Sequence, residues 1–192
     1  LHDAIDRLQE MICLPINGLS NGEHPIAMTV AVEDIEGIFP EFVGTVAIGG
    51  TLSKLGKKIL LDLEVRGVAR LTCDYSLEMF DEQIEATFSL AFLQDTELCM
   101  RQPNHRQRIE DDPYALRLLR DDDTSVDITA DVAEELSVRL PIKRVAPQFR
   151  HMTFAEFAHE LFGDRIHVAA SDDPPADHPW SALEGLNGNR HK

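Results

Sequence analysis

The strongest constraint on the fold is a pair of alternating runs between residues 59 and 93. Ile59, Leu61, Leu63 and Val65 alternate with Leu60, Asp62, Glu64 and Arg66, and Ala69, Leu71 and Cys73 keep the parity of the apolar set. After a polar turn, Ile84, Ala86, Phe88, Leu90 and Phe92 alternate with Glu85, Thr87, Ser89 and Ala91. A period of two places each set on one face of a strand, so both runs present an apolar face to a core and a mostly wet face to water. The connections among these strands are too short for the helical crossover that parallel pairing requires, which predicts antiparallel neighbours.

The flanking segments extend this reading. Ile26, Met28, Val30 and Val32 predict a half-buried strand, and 43–52 a further one, with Gly49-Gly50 read as a bulge or bend. Leu1, Ile5, Leu8 and Ile12 have helical spacing, ended by Pro15, and Asn17-Gly18 and Asn21-Gly22 are turn pairs. Residues 95–125 form a charged insertion, with a short helix predicted from Pro113 to Arg120. Ile128, Val132, Leu136 and Leu140 recur every four residues and predict a helix of about 128–140, capped by Asp127 or Thr129 and stopped by Pro141. Thr153-Phe-Ala-Glu156 is a capping box that opens a helix with Phe154, Phe157, Ala158, Leu161 and Phe162 on one stripe, and Gly163 ends it. The fold class expected is α+β: an antiparallel, strongly bent sheet of about 26–93, a partial barrel, covered by two or three helices. Residues 1–147 form its core, and 148–192 carry the last helix, the acidic Pro-rich linker Asp172–Asp177 and a tail with the only tryptophan, Trp180.

Charge narrows the classes of partner. The chain of 192 residues carries a formal net charge of −16, and acids exceed bases in 1–94, 95–125 and 126–192 alike. Extensive phosphate contact needs a concentrated positive face, whereas an acidic surface suits a basic partner. Two basic islands interrupt the acidity: Lys54, Lys57 and Lys58, and Arg139, Lys143, Arg144 and Arg150. If they meet in space they make a local phosphate-contacting patch; if they do not, they are separate solvated loops. No apolar run approaches the roughly 20 residues of a membrane span, and the start has no basic segment followed by an apolar one. Cys13, Cys73 and Cys99 are odd in number and scattered, without zinc spacing, which suits reduced thiols in a cytoplasm.

The turn itself can be recognised. Gly67-Val-Ala-Arg-Leu-Thr-Cys73-Asp74-Tyr-Ser76-Leu77-Glu78-Met-Phe80 resembles the YceD-like family of bacterial proteins. Ile16-Asn-Gly-Leu19-Ser-Asn-Gly22-Glu-His24 is similar to that family's N-terminal segment, Asp127-Ile128 through Leu140-Pro141 to its "acid, helix, Leu-Pro" block, and His178-Pro179-Trp180 through Leu186 to its tail. Its markers here are Gly67, Cys73, Leu77, Glu78 and Pro141. Where many relatives have Cys-x-x-Cys, Ser76 takes the second position, and 141–149 lacks their further cysteines, so a metal-binding variant is not expected. The resemblance implies a factor needed for large-subunit (23S) rRNA to accumulate in ribosome biogenesis, and the relatives' genes often neighbour one for a large-subunit ribosomal protein.

Two mechanisms follow as expectations: the basic islands touch precursor rRNA, or the acidic surface holds a basic ribosomal protein. No cofactor, metal or catalytic residue is expected, since the sequence has no Gly-x-Ser-x-Gly elbow, no phosphate loop and no His-Glu-x-x-His. The alternatives are a generic protein-interaction module anchored by Trp180 and a thiol or metal-dependent enzyme using Cys73. Cys73 otherwise reads as a small packed residue where strand meets turn.

Overall fold

The computed structural model describes residues 12–101 and 116–163. They form β1 (Cys13–Pro15), β2 (Gly22–Ala31), β3 (Phe42–Leu55), β4 (Lys58–Thr72), β5 (Met79–Gln94), α1 (Thr96–Arg101), β6 (Leu116–Leu119), β7 (Ser125–Asp127), α2 (Thr129–Val138) and α3 (Phe154–Phe162). Five strands make one sheet in the order β2-β3-β4-β5-β6, and β1 pairs with β7 in a two-stranded sheet.

The alternation in β4 and β5 is expressed as read. Ile59, Leu61, Leu63, Val65, Ala69, Leu71 and Cys73 are all 3% exposed or less, so one face of β4 is sealed along its whole length. Ile84, Ala86 and Phe92 continue that face on β5, and α2 closes it with Val132, Ala133 and Leu136. Asp62, Arg66 and Arg70 stand on the opposite, wet face, where Arg66 meets Glu85 and Arg70 meets Asp81 across the strands.

Four expectations need correction. The fold is α+β, but its sheet is mixed, because β6 runs parallel to β5 through Ala91–Gln94. Nor is it a strongly bent partial barrel: the sheet stays open, since β2 and β6 are its two edges and do not pair. Leu116–Leu119, read as helical, gains its hydrogen bonds as β6; the first part of that predicted helix, 113–115, lies outside the described residues. Similarly, Pro15 does not stop a helix but ends β1, opposite Ser125; residues 1–11 of the helix predicted there lie outside the described residues.

The interruption in β3 also lies elsewhere. The register shift falls between Val43 and Ala47, at Gly44 (φ 76°), while Gly49 and Gly50 pair regularly with Glu64 and Leu63. Gly67 of β4 faces that bulge, and a Cβ there would meet Phe42 and Val46 at 3.4 Å. A side chain at 67 would thus rest against the two apolar side chains that the bulge turns toward it, at the near limit of ordinary van der Waals contact.

α2 begins at Thr129, whose side chain joins the helix to Ile12, the residue before β1. Asp127 Oδ1 accepts from the Thr129 amide and hydroxyl (2.9 and 2.6 Å), and Thr129 Oγ1 accepts from the buried Ile12 amide at 2.8 Å. The residue preceding the helix, Ile128, makes no side-chain cap. Contacts divide the chain into Leu1–Ala146 and Pro147–Lys192. In the second unit, α3 has the predicted capping box: the Thr153 amide and hydroxyl meet Glu156 Oε2 at 2.6 and 3.0 Å, and Thr153 Oγ1 accepts from the Glu156 amide at 3.3 Å. Those bonds from Thr153 hold the Glu156 carboxyl below its ordinary range. Phe157 is buried, edge-on to Phe149 at 5.0 Å, while Phe154, Leu161 and Phe162 remain at least half exposed.

Candidate functional site

The family-like turn is built around Cys73. Its amide donates to the Glu78 carbonyl (2.8 Å) and its carbonyl accepts from the Leu77 amide (2.9 Å), closing a compact loop between β4 and β5. Leu77 takes φ 60°, the only positive φ outside glycine among the described residues, and its side chain is 76% exposed. Ser76 Oγ accepts from the Glu78 amide at 3.4 Å.

The loop grips the segment after α2. Asp74 donates its amide to the Arg144 carbonyl (2.6 Å), and its Oδ2 accepts from the Arg144 amide (2.7 Å). Lys143 Nζ bonds the Tyr75 hydroxyl at 2.7 Å and lies 5.0 Å from that ring's centre, and the Ala146 amide donates to Cys73 Sγ at 3.4 Å. The half-buried Pro141 ends the turn that carries this segment away from α2. Thus the markers Cys73 and Glu78 shape a clamp that fixes 143–146 beside the end of β4.

Burial pushes the Cys73 thiol up, but the Ala146, Ser76 and Tyr75 amides and the Ser76 hydroxyl outweigh it and leave the thiol below its ordinary range. Cys73 is nevertheless 0% exposed, so a reagent cannot reach it. A nucleophile needs both thiolate character and access. In the folded protein a soluble maleimide is expected to modify the partly exposed Cys13 and to spare the buried Cys73 and Cys99, as read by peptide mass spectrometry; rapid labelling of Cys73 would contradict this packing. Among the described residues no group of three His, Cys, Asp or Glu side chains is placed to hold a metal ion.

The two basic islands do not come together. Lys54, Lys57 and Lys58 surround the β3–β4 turn, whereas Lys143 and Arg144 are held just beyond the other end of β4. At about 3.3 Å per residue, β4 separates them by roughly 45 Å along the strand. Even the first island diverges. Lys54 pairs with buried Ile59 and Lys58 with exposed Leu55, so they leave opposite faces, while Lys57 forms an ion pair with Asp121 at 3.0 Å that holds its ammonium above the ordinary range. Arg144 meets Glu41 at 3.1 Å. Arg139 is the exposed residue that ends α2, and Arg150 lies in the second unit. Trp180 lies outside the described residues.

Among the described residues, the arginines outside the islands each have a carboxylate partner. Arg66 with Glu64 and Glu85, Arg70 with Asp81, Arg101 with Glu97, Arg117 with Asp131 and Arg120 with Asp122 all form ion pairs. With the formal net charge of −16, acids outnumber bases among the charges these pairs leave over.

One feature was not legible from motifs. The loop between β2 and β3 and the outer side of α2 border an open, largely apolar cleft of about 310 Å³, lined by Glu36, Gly37 and Phe39 from the loop and Ala130, Ala133, Glu134, Ser137 and Val138 from the helix. Phe39 is 49% and Val138 74% exposed. The sequence signal for it is Phe39, an aromatic in a loop between Glu36 and Glu41, where no strand period calls for one.

These features define an acidic α+β protein with a one-sided, open sheet and a turn-and-clamp corner. The family profile described as "Large ribosomal RNA subunit accumulation protein YceD" matches residues 61–187, and the chain belongs to this family. The match takes in Gly67, the Cys73–Glu78 turn, Pro141 and Trp180, and begins after the Ile16–His24 segment. No curated protein and no solved structure matches the chain.

Proposed function

We infer that this chain is a non-catalytic, cytoplasmic ribosome-biogenesis factor that supports accumulation of large-subunit rRNA by holding a basic large-subunit ribosomal protein before assembly. The observation that carries the choice of partner is electrostatic. Net charge is −16, while Lys57, Arg66, Arg70, Arg101, Arg117, Arg120 and Arg144 each lie against a carboxylate of the same chain. Releasing counterions from RNA requires a concentrated set of uncompensated cations facing phosphates, and here each of these seven has a carboxylate of the same chain beside it that offsets its charge at the surface. A polycationic ribosomal protein meets the reverse situation: the acidic surface raises its encounter rate and screens it from non-specific RNA.

Order of events tests this. On depletion of the chain in growing cells, pulse-labelling is expected to show faster turnover of one basic large-subunit ribosomal protein before the ratio of 23S to 16S rRNA falls. An rRNA deficit that appears first, with every ribosomal protein stable, would contradict it.

A further inference from the structure

We propose that the cleft between the β2–β3 loop and α2 is the docking site for a basic amphipathic segment of the partner protein, its apolar side inserted between Phe39 and Val138. This rests on the reading that the partner is a basic protein. The lining is almost wholly apolar, and large side chains at both walls are left open to water, with Phe39 49% and Val138 74% exposed. Pockets for small polar molecules aim several donors and acceptors inward; this one is lined mostly by apolar atoms, with Glu36 and Glu134 the charged residues among its lining. Such a groove suits a segment with one apolar face, in the manner of a helix laid in a groove.

Charge identifies the occupant. From Val32 to Phe42 the loop carries Glu33, Asp34, Glu36 and Glu41 and no Lys or Arg, and from the end of β7 through α2 the other wall carries Asp127, Asp131, Glu134 and Glu135, with Arg139 the first cation, just past the helix. Glu41 is held by Arg144 and Asp131 by Arg117. Arg117 reaches the α2 side from β6, but its guanidinium is bonded to both oxygens of Asp131 at 2.7 and 2.5 Å and its side chain is only 22% exposed. Glu36 and Glu134 line the cleft among these acids; Glu134 also faces Arg117, and the exposed Arg139 follows Val138, so carboxylates outnumber cations around the apolar floor without being its only charges. An incoming segment with Lys or Arg flanking one or two apolar side chains matches both the floor and the carboxylates. Phosphates of RNA would meet net repulsion from these carboxylates, weakened by salt.

The test uses the full chain immobilised as bait and, as probe, proteins extracted from large ribosomal subunits and freed of RNA, with captured species identified by mass spectrometry. Wild type is expected to retain a basic ribosomal protein. Val138→Asp and the double variant Glu36→Lys/Glu134→Lys are each expected to cut its retention at least tenfold. Glu23→Lys/Glu97→Lys changes net charge by the same amount away from the cleft and is expected to retain it within about twofold; thermal melts verify that all variants fold. If a ribosomal protein is retained equally by every variant, or lost equally by the charge-matched control, the cleft assignment falls while the functional reading stands. If wild type retains no ribosomal protein but retains added rRNA transcript, both fall.

Discussion

Gly50→Ala is expected to lower the stability of the sheet by about 3 to 5 kcal/mol, the sum of backbone strain and overpacking. A Cβ at this position would lie 2.1 Å from the Asp62 carbonyl oxygen and 3.0 Å from the Leu63 Cα, both backbone atoms of β4, at a φ of +150° that side-chain-bearing residues rarely adopt. Relief requires β3 and β4 to separate in the middle of their ladder, where Gly50 also pairs with Ile26 of β2. The loss is a large part of the roughly 5 to 15 kcal/mol that holds a domain together. Gly49→Ala is the control, since its Cβ would meet only the Ile26 carbonyl at 3.9 Å, and it should change stability by about 0.5 kcal/mol or less. Denaturant midpoints of the two variants measure the difference; equal midpoints would contradict the close approach.

Asp131→Ala is expected to cost about 2 to 4 kcal/mol, somewhat below the loss seen when one partner of a fully buried pair is removed. Asp131 is 9% and Arg117 22% exposed at the side chain, and the two are joined through both carboxylate oxygens, tying the first turn of α2 to β6. Without Asp131 the guanidinium remains partly buried, 5.8 Å from the centre of the Phe92 ring, having lost its bidentate partner and keeping only the more distant charge of Glu134. The pair is also favoured by position, because a carboxylate in the first turn meets the positive end of the helix dipole. The double replacement Arg117→Met/Asp131→Leu removes the stranded charge and should recover more than half of the loss. Urea melts of the single and double variants distinguish these cases, and a double variant less stable than Asp131→Ala would contradict this account. Since α2 is one wall of the cleft, Asp131→Ala should weaken partner capture as well.

What the sequence made legible was local in range. The β4–β5 hairpin follows from a period of two on either side of a short turn, and the α3 capping box from four consecutive residues; both are found where expected. β6 was hidden because Leu116, Leu118 and Leu119 fit a helical or an extended pattern, and only pairing with Ala91–Gln94 decides between them. β1 was hidden for a related reason. Its partner Ser125–Asp127 lies over a hundred residues away, and Pro15 read by itself signals a stop rather than a strand end. The bulge was misplaced because consecutive glycines suggest irregularity, whereas Gly50 serves close strand contact and a single Gly44 supplies the turn. The same limit applies to the site. Charge counts identified two basic islands, but only strand order reveals that β4 holds them apart, and the cleft joins walls some ninety residues distant in sequence.

The central claim is that this acidic chain holds a protein rather than RNA, and recovery of the tagged chain from gently lysed cells with and without RNase tests it most directly. The account predicts a basic large-subunit ribosomal protein that co-purifies in near-stoichiometric amount, persists after RNase treatment and is released by high salt, as pairing between charged surfaces requires. Recovery of large-subunit precursor rRNA whose removal by RNase takes every ribosomal protein with it would contradict the account and return attention to Lys54, Lys58, Lys143 and Arg144.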